Sequence, residues 1–219
     1  MYKMGFIGLG VMGWPMAGHL KKNGHDVTVY NRSSQKAESW LKKFKGKIVS
    51  TPKEASLGAD FVFTCVGNDD DVLSVVDGKD GILSGIKKGS ILVDHTTASS
   101  DLAINLNKKT SLLGVNFIDA PVSGGQAGAE NGTLSIMCGG EKKIFDRVLP
   151  ILESYGKNIA LIGDVGSGQL SKMVNQICIA GLIQGLSEGI NFGLKSNLDM
   201  KKVLDVISGG AAGSWQMNN

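Results

Sequence analysis

Cysteine is scarce in this 219-residue chain: Cys65, Cys138 and Cys178 stand far apart, and no Cys-x-x-Cys occurs. That spacing excludes a disulfide framework and a cysteine-built zinc site. Each cysteine lies in an apolar run and reads as a small buried hydrophobe. Histidine is as sparse, and His19, His25 and His95 show no metal-ligand spacing, so no metal is expected. Charge of one sign is also lacking. With 23 Lys and Arg against 20 Asp and Glu, the net charge of +3 is too small to argue for a nucleic-acid partner. The densest basic run, Lys42-Lys43-Phe44-Lys45-Gly46-Lys47, reads as the solvated end of a helix. Asp69-Asp70-Asp71 reads as the negative first turn of a helix rather than a metal site. No segment is expected to reach the length of a membrane span, and the chain opens on strand rather than leader sequence. These absences lead to the expectation of a cytoplasmic protein with no membrane partner.

Glycine, by contrast, is abundant at 31 residues, and its placement is informative. A short apolar strand at Lys3–Ile7 runs into Gly8-Leu9-Gly10-Val11-Met12-Gly13 and directly into a helix expected from about Val11 to Asn23. Strand, Gly-x-Gly-x-x-Gly and helix in that order form a dinucleotide-binding fingerprint. Gly8 permits the tight turn, Gly10 lets the backbone approach a pyrophosphate, and Gly13 lets helix and strand pack closely. The helix directs its free N–H groups and positive dipole end at the phosphates.

Further on, short apolar runs alternate with helical stretches, the signature of βαβ units in a parallel sheet covered on both faces. Strands are expected at 26–31, 47–49, 60–66, 90–94, 116–118, 133–138 and 158–162. Helices are expected at 34–45, 52–57, 69–76, 100–109 and 142–154. Residues 119–131, rich in Gly and Ala, read as a loop between strands. At Gly163 the character changes: 166–197 carries no strand signal and is apolar around much of a helix, as in a buried domain centre or a subunit interface. Another helix is expected at 199–208. The expected architecture is therefore α/β, a doubly wound parallel sheet over residues 1–162 followed by a partial all-helical domain over 163–219. One long helix and one short one leave little partner surface, so the chain is expected to be a fragment or to lack a C-terminal half.

Three further constellations carry chemistry. The second strand ends in Asn31-Arg32-Ser33, where an NAD-specific fold places an acid for the ribose hydroxyls. Arg32 can pair with a 2′-phosphate without carboxylate repulsion, which favours NADP over NAD. Val66 and Thr97 follow the fourth and fifth strands at the edge where open α/β sheets bind ligands, and are candidate contacts to the nicotinamide half. His95 reads as structural. Asp119-Ala120-Pro121-Val122-Ser123-Gly124-Gly125 ends a strand in a hydroxyl and two glycines, whose bare backbone N–H groups can hold a carboxylate. Finally, Gly166-x-Gly168-x-x-x-Lys172-x-x-Asn175 puts a lysine and an asparagine on one face of an apolar helix, costly unless partnered or functional.

With these motifs in this order, the chain resembles the β-hydroxyacid dehydrogenase family over nearly its whole length. That family includes 3-hydroxyisobutyrate dehydrogenase, tartronate semialdehyde reductase and glyoxylate/succinic semialdehyde reductases. The resemblance implies a Rossmann domain followed by a helical domain that forms homo-oligomers. It implies hydride transfer between a nicotinamide and a short hydroxy acid or semialdehyde. It makes Lys172 the catalytic acid–base, gives Ser123, Gly124 and Gly125 to the substrate, and has Asn175 help hold it. The motifs look most like 3-hydroxyisobutyrate dehydrogenase. A truncated, non-catalytic dinucleotide-binding protein is the alternative of another class, and an imine reductase is disfavoured by Lys172. His19 departs from the family, standing where many members carry Asn.

Overall fold

The computed structural model describes residues 1–218. Its order begins β1 (Lys3–Ile7), α1 (Gly13–Lys22), β2 (Asp26–Tyr30), α2 (Ser34–Phe44), β3 (Lys47–Ile48), α3 (Pro52–Ser56), β4 (Phe61–Thr64) and α4 (Asp69–Val76). It continues with β5 (Ile91–Asp94), α5 (Ser100–Leu112), β6 (Asn116–Asp119), β7 (Val122–Ser123), α6 (Gly125–Asn131), β8 (Leu134–Gly139), α7 (Lys142–Leu152) and β9 (Gly156–Gly163). The helices α8 (Ser167–Lys195), α9 (Met200–Ile207) and α10 (Trp215–Asn218) close it. Strand order is β3-β2-β1-β4-β5-β6-β8, parallel from β3 to β6, with β8 antiparallel to β6 and to the short β7, and parallel to β9. The 3-2-1-4-5-6 core is the doubly wound arrangement, and its order reverses between β1 and β4.

Both faces of the central strands β1, β4, β5 and β6 are covered, so these strands are largely apolar on both sides. Met4, Phe6, Phe63, Val93 and Ile118 point to one face, where Met16, Leu20 and Trp40 meet them. Ile7, Val62, Leu92 and Phe117 point to the other, against Val72, Val76, Leu102 and Leu106. This alternation explains why the strand signal is a continuous apolar run rather than an in–out pattern. Helix starts follow local chemistry. Thr51 and Glu54 form a reciprocal capping box with Pro52 at the first helical position of α3. Asn68 accepts from the Asp71 N–H to cap α4, whose first turn holds all three aspartates.

Four expectations change. Residues 119–131 are not one loop, because they hold β7 and α6. Gly124, at φ 131°, turns the chain into α6, and Gly132 in the left-handed region ends it. His19 Nε2 lies 3.1 Å from the carbonyls of Ala129 and Glu130 and donates to these last carbonyls of α6, which assigns the departing residue a fold role. Within the single chain helix α8 is not the buried centre of a domain: Leu170, Val174, Ile177 and Phe192 are exposed. Cys178 is exposed with them, unlike buried Cys138 and half-buried Cys65. Finally, α8 is long and apolar enough, by length and composition alone, to cross a membrane. A search for an unbroken apolar run overlooks it because glycine and polar residues are interspersed along it.

The chain divides into two compact units, Met1–Lys172 and Met173–Asn219, so the division falls inside α8 rather than at Gly163. The reason is that the first turn of α8 belongs to the sheet. A Cβ on Gly168 would come 2.4 Å from the Met137 carbonyl oxygen and 2.8 Å from that of Asp119, so only glycine admits this approach. In the second unit Leu182, Leu186 and Ile190 face Met200, Val203, Leu204 and Ile207 across an apolar groove of about 330 Å³.

Candidate active site

At the carboxyl ends of β1, β2 and β4 the first unit opens into a cavity of about 900 Å³. Gly8, Gly10, Val11, Met12, Asn31, Arg32, Ser33 and Val66 line it, so the structure gathers eight of the eleven residues expected at the cofactor. Leu9 and Gly13 stand behind them, both buried. Thr97 is exposed after β5 and is not in the cavity lining.

The three fingerprint glycines differ physically. Gly8 has φ 99°, and a Cβ there would sit 2.2 Å from the Cys65 carbonyl oxygen. A Cβ on Gly13 would sit 2.0 Å from the Gly8 carbonyl oxygen and 3.0 Å from the Phe6 ring. A Cβ on Gly10 would meet nothing within 4 Å, so Gly10 borders open space at the mouth of α1. A bare backbone facing open space at a helix N-terminus fits a pyrophosphate. Helix α1 begins at Gly13 rather than Val11, with Val11 and Met12 in the turn before it.

Asn31 braces the loop rather than offering a free amide. Its Oδ1 accepts from the Leu9 N–H at 2.8 Å and its Nδ2 donates to the Ser33 carbonyl at 3.1 Å. Arg32 is largely solvent-exposed and pairs with Asp71 at 3.4 Å. Lys36, in the first turn of α2, lines the same cavity. It was not singled out in the sequence, although its place one turn after Arg32 is the signal. The Val66 N–H donates to Thr96 Oγ1 at 3.1 Å, so Val66 has only its carbonyl and side chain left for a ligand. Cys65 also lines the cavity, with burial and nearby Asp94 pushing its thiol up to about 12, which keeps it un-ionised and inert.

The second wall lies at the ends of β5 and β6. Ser123 closes β7, and Gly124 and Gly125 follow at φ 131° and 61°. A Cβ on Gly125 would meet nothing within 4 Å, so its backbone faces open space. Asp119, fully buried, accepts the Gly166 N–H at 2.8 Å and the Gln169 N–H at 3.0 Å, and so caps α8. Burial raises its pKa, and these backbone N–H groups oppose that shift. Lys172 stands one turn further along α8, 8% exposed, and burial lowers its pKa from the ordinary lysine value. Among the described residues no charged group contributes to that shift. Asn175 falls in the second unit, where its Nδ2 donates to Gln176 Oε1 at 2.9 Å.

His95 is buried and structural. Because the Ala120 carbonyl can only accept, Nδ1 carries the proton and donates to it at 2.6 Å, while Nε2 accepts from the Tyr155 hydroxyl at 2.8 Å. Burial pushes its pKa down to about 4 and keeps it neutral.

A fingerprint cradle, a buried lysine and a glycine-rich strand end at one edge of a doubly wound sheet define a nicotinamide-dinucleotide dehydrogenase. Residues 3–163 match the model of the NAD binding domain of 6-phosphogluconate dehydrogenase. Residues 166–219 match that of the NAD-binding region of NADP-dependent 3-hydroxyisobutyrate dehydrogenase. The whole chain is 58% identical to an uncharacterized oxidoreductase of Shewanella frigidimarina and covers 75% of it. It is 38% identical to the 2-hydroxy-3-oxopropionate reductase of Escherichia coli, with 97% of this chain aligned to 72% of that one. Among solved structures, 3-hydroxyisobutyrate dehydrogenase of Mycobacterium tuberculosis with L-serine superposes with a TM-score of 0.87 at 29% identity, covering 98% of this chain and 72% of that one. The chain belongs to the β-hydroxyacid dehydrogenase family. Within it, the protein is an NAD(P)-dependent oxidoreductase.

Proposed function

We propose that the protein interconverts a short β-hydroxy acid and its semialdehyde, with 3-hydroxyisobutyrate as the substrate that its motifs favour and NADP as the preferred cofactor. The observation that carries this reading is Lys172, buried at the sheet's carboxyl edge with its pKa lowered by burial. An amine that titrates closer to neutrality can both give and take a proton, as a general acid–base must. When bound, the nicotinamide supplies the hydride acceptor or donor. Lys172 Nζ takes the hydroxyl proton in oxidation and returns it to the nascent alkoxide in reduction. The ammonium form also offsets the alkoxide's charge. The Ser123 hydroxyl and the backbone N–H groups of Gly124 and Gly125 hold the substrate carboxylate, and Asn175 assists.

Three features support NADP: Arg32 and Lys36 border the cavity, and the neutral Asn31 stands where a carboxylate would repel a 2′-phosphate. The relationship to 2-hydroxy-3-oxopropionate reductase supports tartronate semialdehyde as a second substrate. We also propose that exposed Leu170, Val174, Ile177 and Phe192 of α8 are covered by a second copy of the chain, with no membrane or nucleic-acid partner.

The test is nicotinamide absorbance with NADPH and NADP against 3-hydroxyisobutyrate, the tartronate, methylmalonate and succinate semialdehydes, and glyoxylate. Turnover should appear with at least one of them and collapse in Lys172→Ala, while cofactor affinity stays nearly intact. Full turnover in Lys172→Ala would remove the lysine from the mechanism. Cofactor binding without turnover on any of these acids would favour a binding protein.

A further inference from the structure

Gln169 is one of the few polar side chains buried in the first unit, at 1% exposed. A buried primary amide costs free energy unless both ends are bonded, and here both are. Its Nε2 donates to the Thr96 carbonyl at 2.7 Å, and its Oε1 accepts from the Ala98 N–H at 3.0 Å. The amide therefore acts as a strand-like bracket on the segment that leaves β5. Its own backbone N–H is held by Asp119, at the end of β6. The first turn of α8 is thus fixed to two adjacent strand ends by independent bonds. Thr96 extends the same frame, because its hydroxyl accepts from the Val66 N–H at the wall of the cofactor cavity. Lys172 lies three residues beyond Gln169, on the turn that this frame orients.

We infer that Gln169 is a positioning residue for Lys172: by clamping the first turn of α8 to Thr96 and Ala98, it sets where the lysine's Nζ stands relative to the cofactor cavity. The frame explains why a lysine with a flexible four-carbon stem keeps a buried position. A Leu at 169 would fill similar space and preserve the fold's packing while leaving the Thr96 carbonyl and the Ala98 N–H without the clamp. The first turn of α8 would then be held by Asp119 alone, and Lys172 would turn outward and regain water. This inference rests on Lys172 as the acid–base group.

The test uses the full chain in three variants, Gln169→Leu, Gln169→Glu and Lys172→Ala. The first readout needs no substrate: acetic anhydride labelling of Lys172, followed by mass spectrometry across pH, with exposed Lys88 as the internal reference. In the wild type the Lys172 labelling midpoint should lie below that of Lys88, and in Gln169→Leu the gap should close by half or more. Turnover with NADP and 3-hydroxyisobutyrate should fall about tenfold or more with NADP affinity within about twofold, as expected of lost alignment rather than lost binding. In Gln169→Glu, reduction of the semialdehyde relative to the wild type should rise as pH falls, because the protonated acid again donates to the Thr96 carbonyl. An unchanged labelling midpoint in Gln169→Leu, with turnover lost in Lys172→Ala, would overturn the positioning role and leave the lysine's role standing. Should Gln169→Leu fail to fold, the Gln169→Glu ratio decides, and a ratio independent of pH overturns the inference. Turnover retained in Lys172→Ala would defeat the lysine's role, and this inference with it.

Discussion

Replacing Gly10 and Gly13 separately with alanine should divide cofactor binding from folding. At Gly10 the added Cβ meets nothing within 4 Å, and the backbone is outside the left-handed region. The folded chain accommodates the methyl, and the unfolded chain loses freedom, so stability should hold or rise by about 0.4–1 kcal/mol. The methyl then occupies space that a pyrophosphate needs. Losing one or two charge-assisted bonds from backbone N–H groups costs about 1.5–3 kcal/mol, or roughly 10- to 100-fold in Kd. At Gly13 the Cβ would stand 2.0 Å from the Gly8 carbonyl oxygen and 3.0 Å from the Phe6 ring. Phe6 is fully buried and cannot withdraw. Helix α1 must lift from β1, so stability should fall by about 1–3 kcal/mol and affinity with it. Thermal melting without ligand and isothermal titration with NADPH measure the two quantities on the same samples. A Gly10→Ala protein that binds NADPH as the wild type does would refute the placement of the pyrophosphate beside Gly10. A Gly13→Ala protein of undiminished stability would refute the close packing of α1 on β1.

The other expectations concern charge and buried polarity. Arg32→Ala should weaken NADP by about tenfold and NAD hardly at all, because the side chain is exposed and already shares Asp71; equal loss for both in paired titrations would refute the 2′-phosphate role. Tyr155→Phe should cost about 1–3 kcal/mol in urea unfolding, since His95 Nε2 loses its buried donor; an unchanged midpoint would show that the bond contributes nothing. Asp94 has its carboxyl pushed up to about 6 by burial, from 3.8, so its ionisation destabilises the fold as pH rises through 6 and the effect is absent below 3.8. The stability of Asp94→Asn minus that of the wild type should therefore grow by roughly 2 kcal/mol between pH 4 and 7; a difference that does not change with pH would refute the buried charge.

Much of this site is local in sequence, and that part was legible. The fingerprint is strand, turn and helix in unbroken succession, so Gly8, Gly10 and Gly13 take the places that their spacing predicts. The central strands β1, β4, β5 and β6 are legible because apolar residues cover both their faces, whereas the two-residue β7 is too short to give a period. Helix α6 was hidden because Gly and Ala give no hydrophobic period, and its ends are set by glycine conformations and by His19 from 110 residues away. Asp119 and Gln169 were hidden for a related reason: their partners stand 47 to 73 residues distant, and only the sheet's register brings them together. Helix α8 inverted the expectation in an instructive way. Its leucines and isoleucines suggested a buried helix with a costly lysine, yet Leu170, Val174 and Ile177 are exposed and Lys172 is the buried one.

That inversion points to where this fold concentrates its polarity. Thr64, Asp94, His95, Thr96, Asp119, Gln169 and Lys172 are all buried, and all lie at or beyond the carboxyl ends of β4, β5 and β6 or on the turns of α8 that meet them. Buried polar groups add little net stability over well-packed apolar ones and cost more when left unpaired. Six of these seven residues take part in hydrogen bonds that cross between elements, from Thr64 to Asp94, Thr96 to Val66, His95 to Tyr155 and Ala120, and Gln169 to Asp119, Thr96 and Ala98. Lys172 takes part in none of them. An edge made this rigid for its own stability would be better built from Leu and Val. A network that closes around every member except the lysine instead fixes the surroundings of one amine without tying it down, which is the setting that the proposed acid–base role of Lys172 calls for.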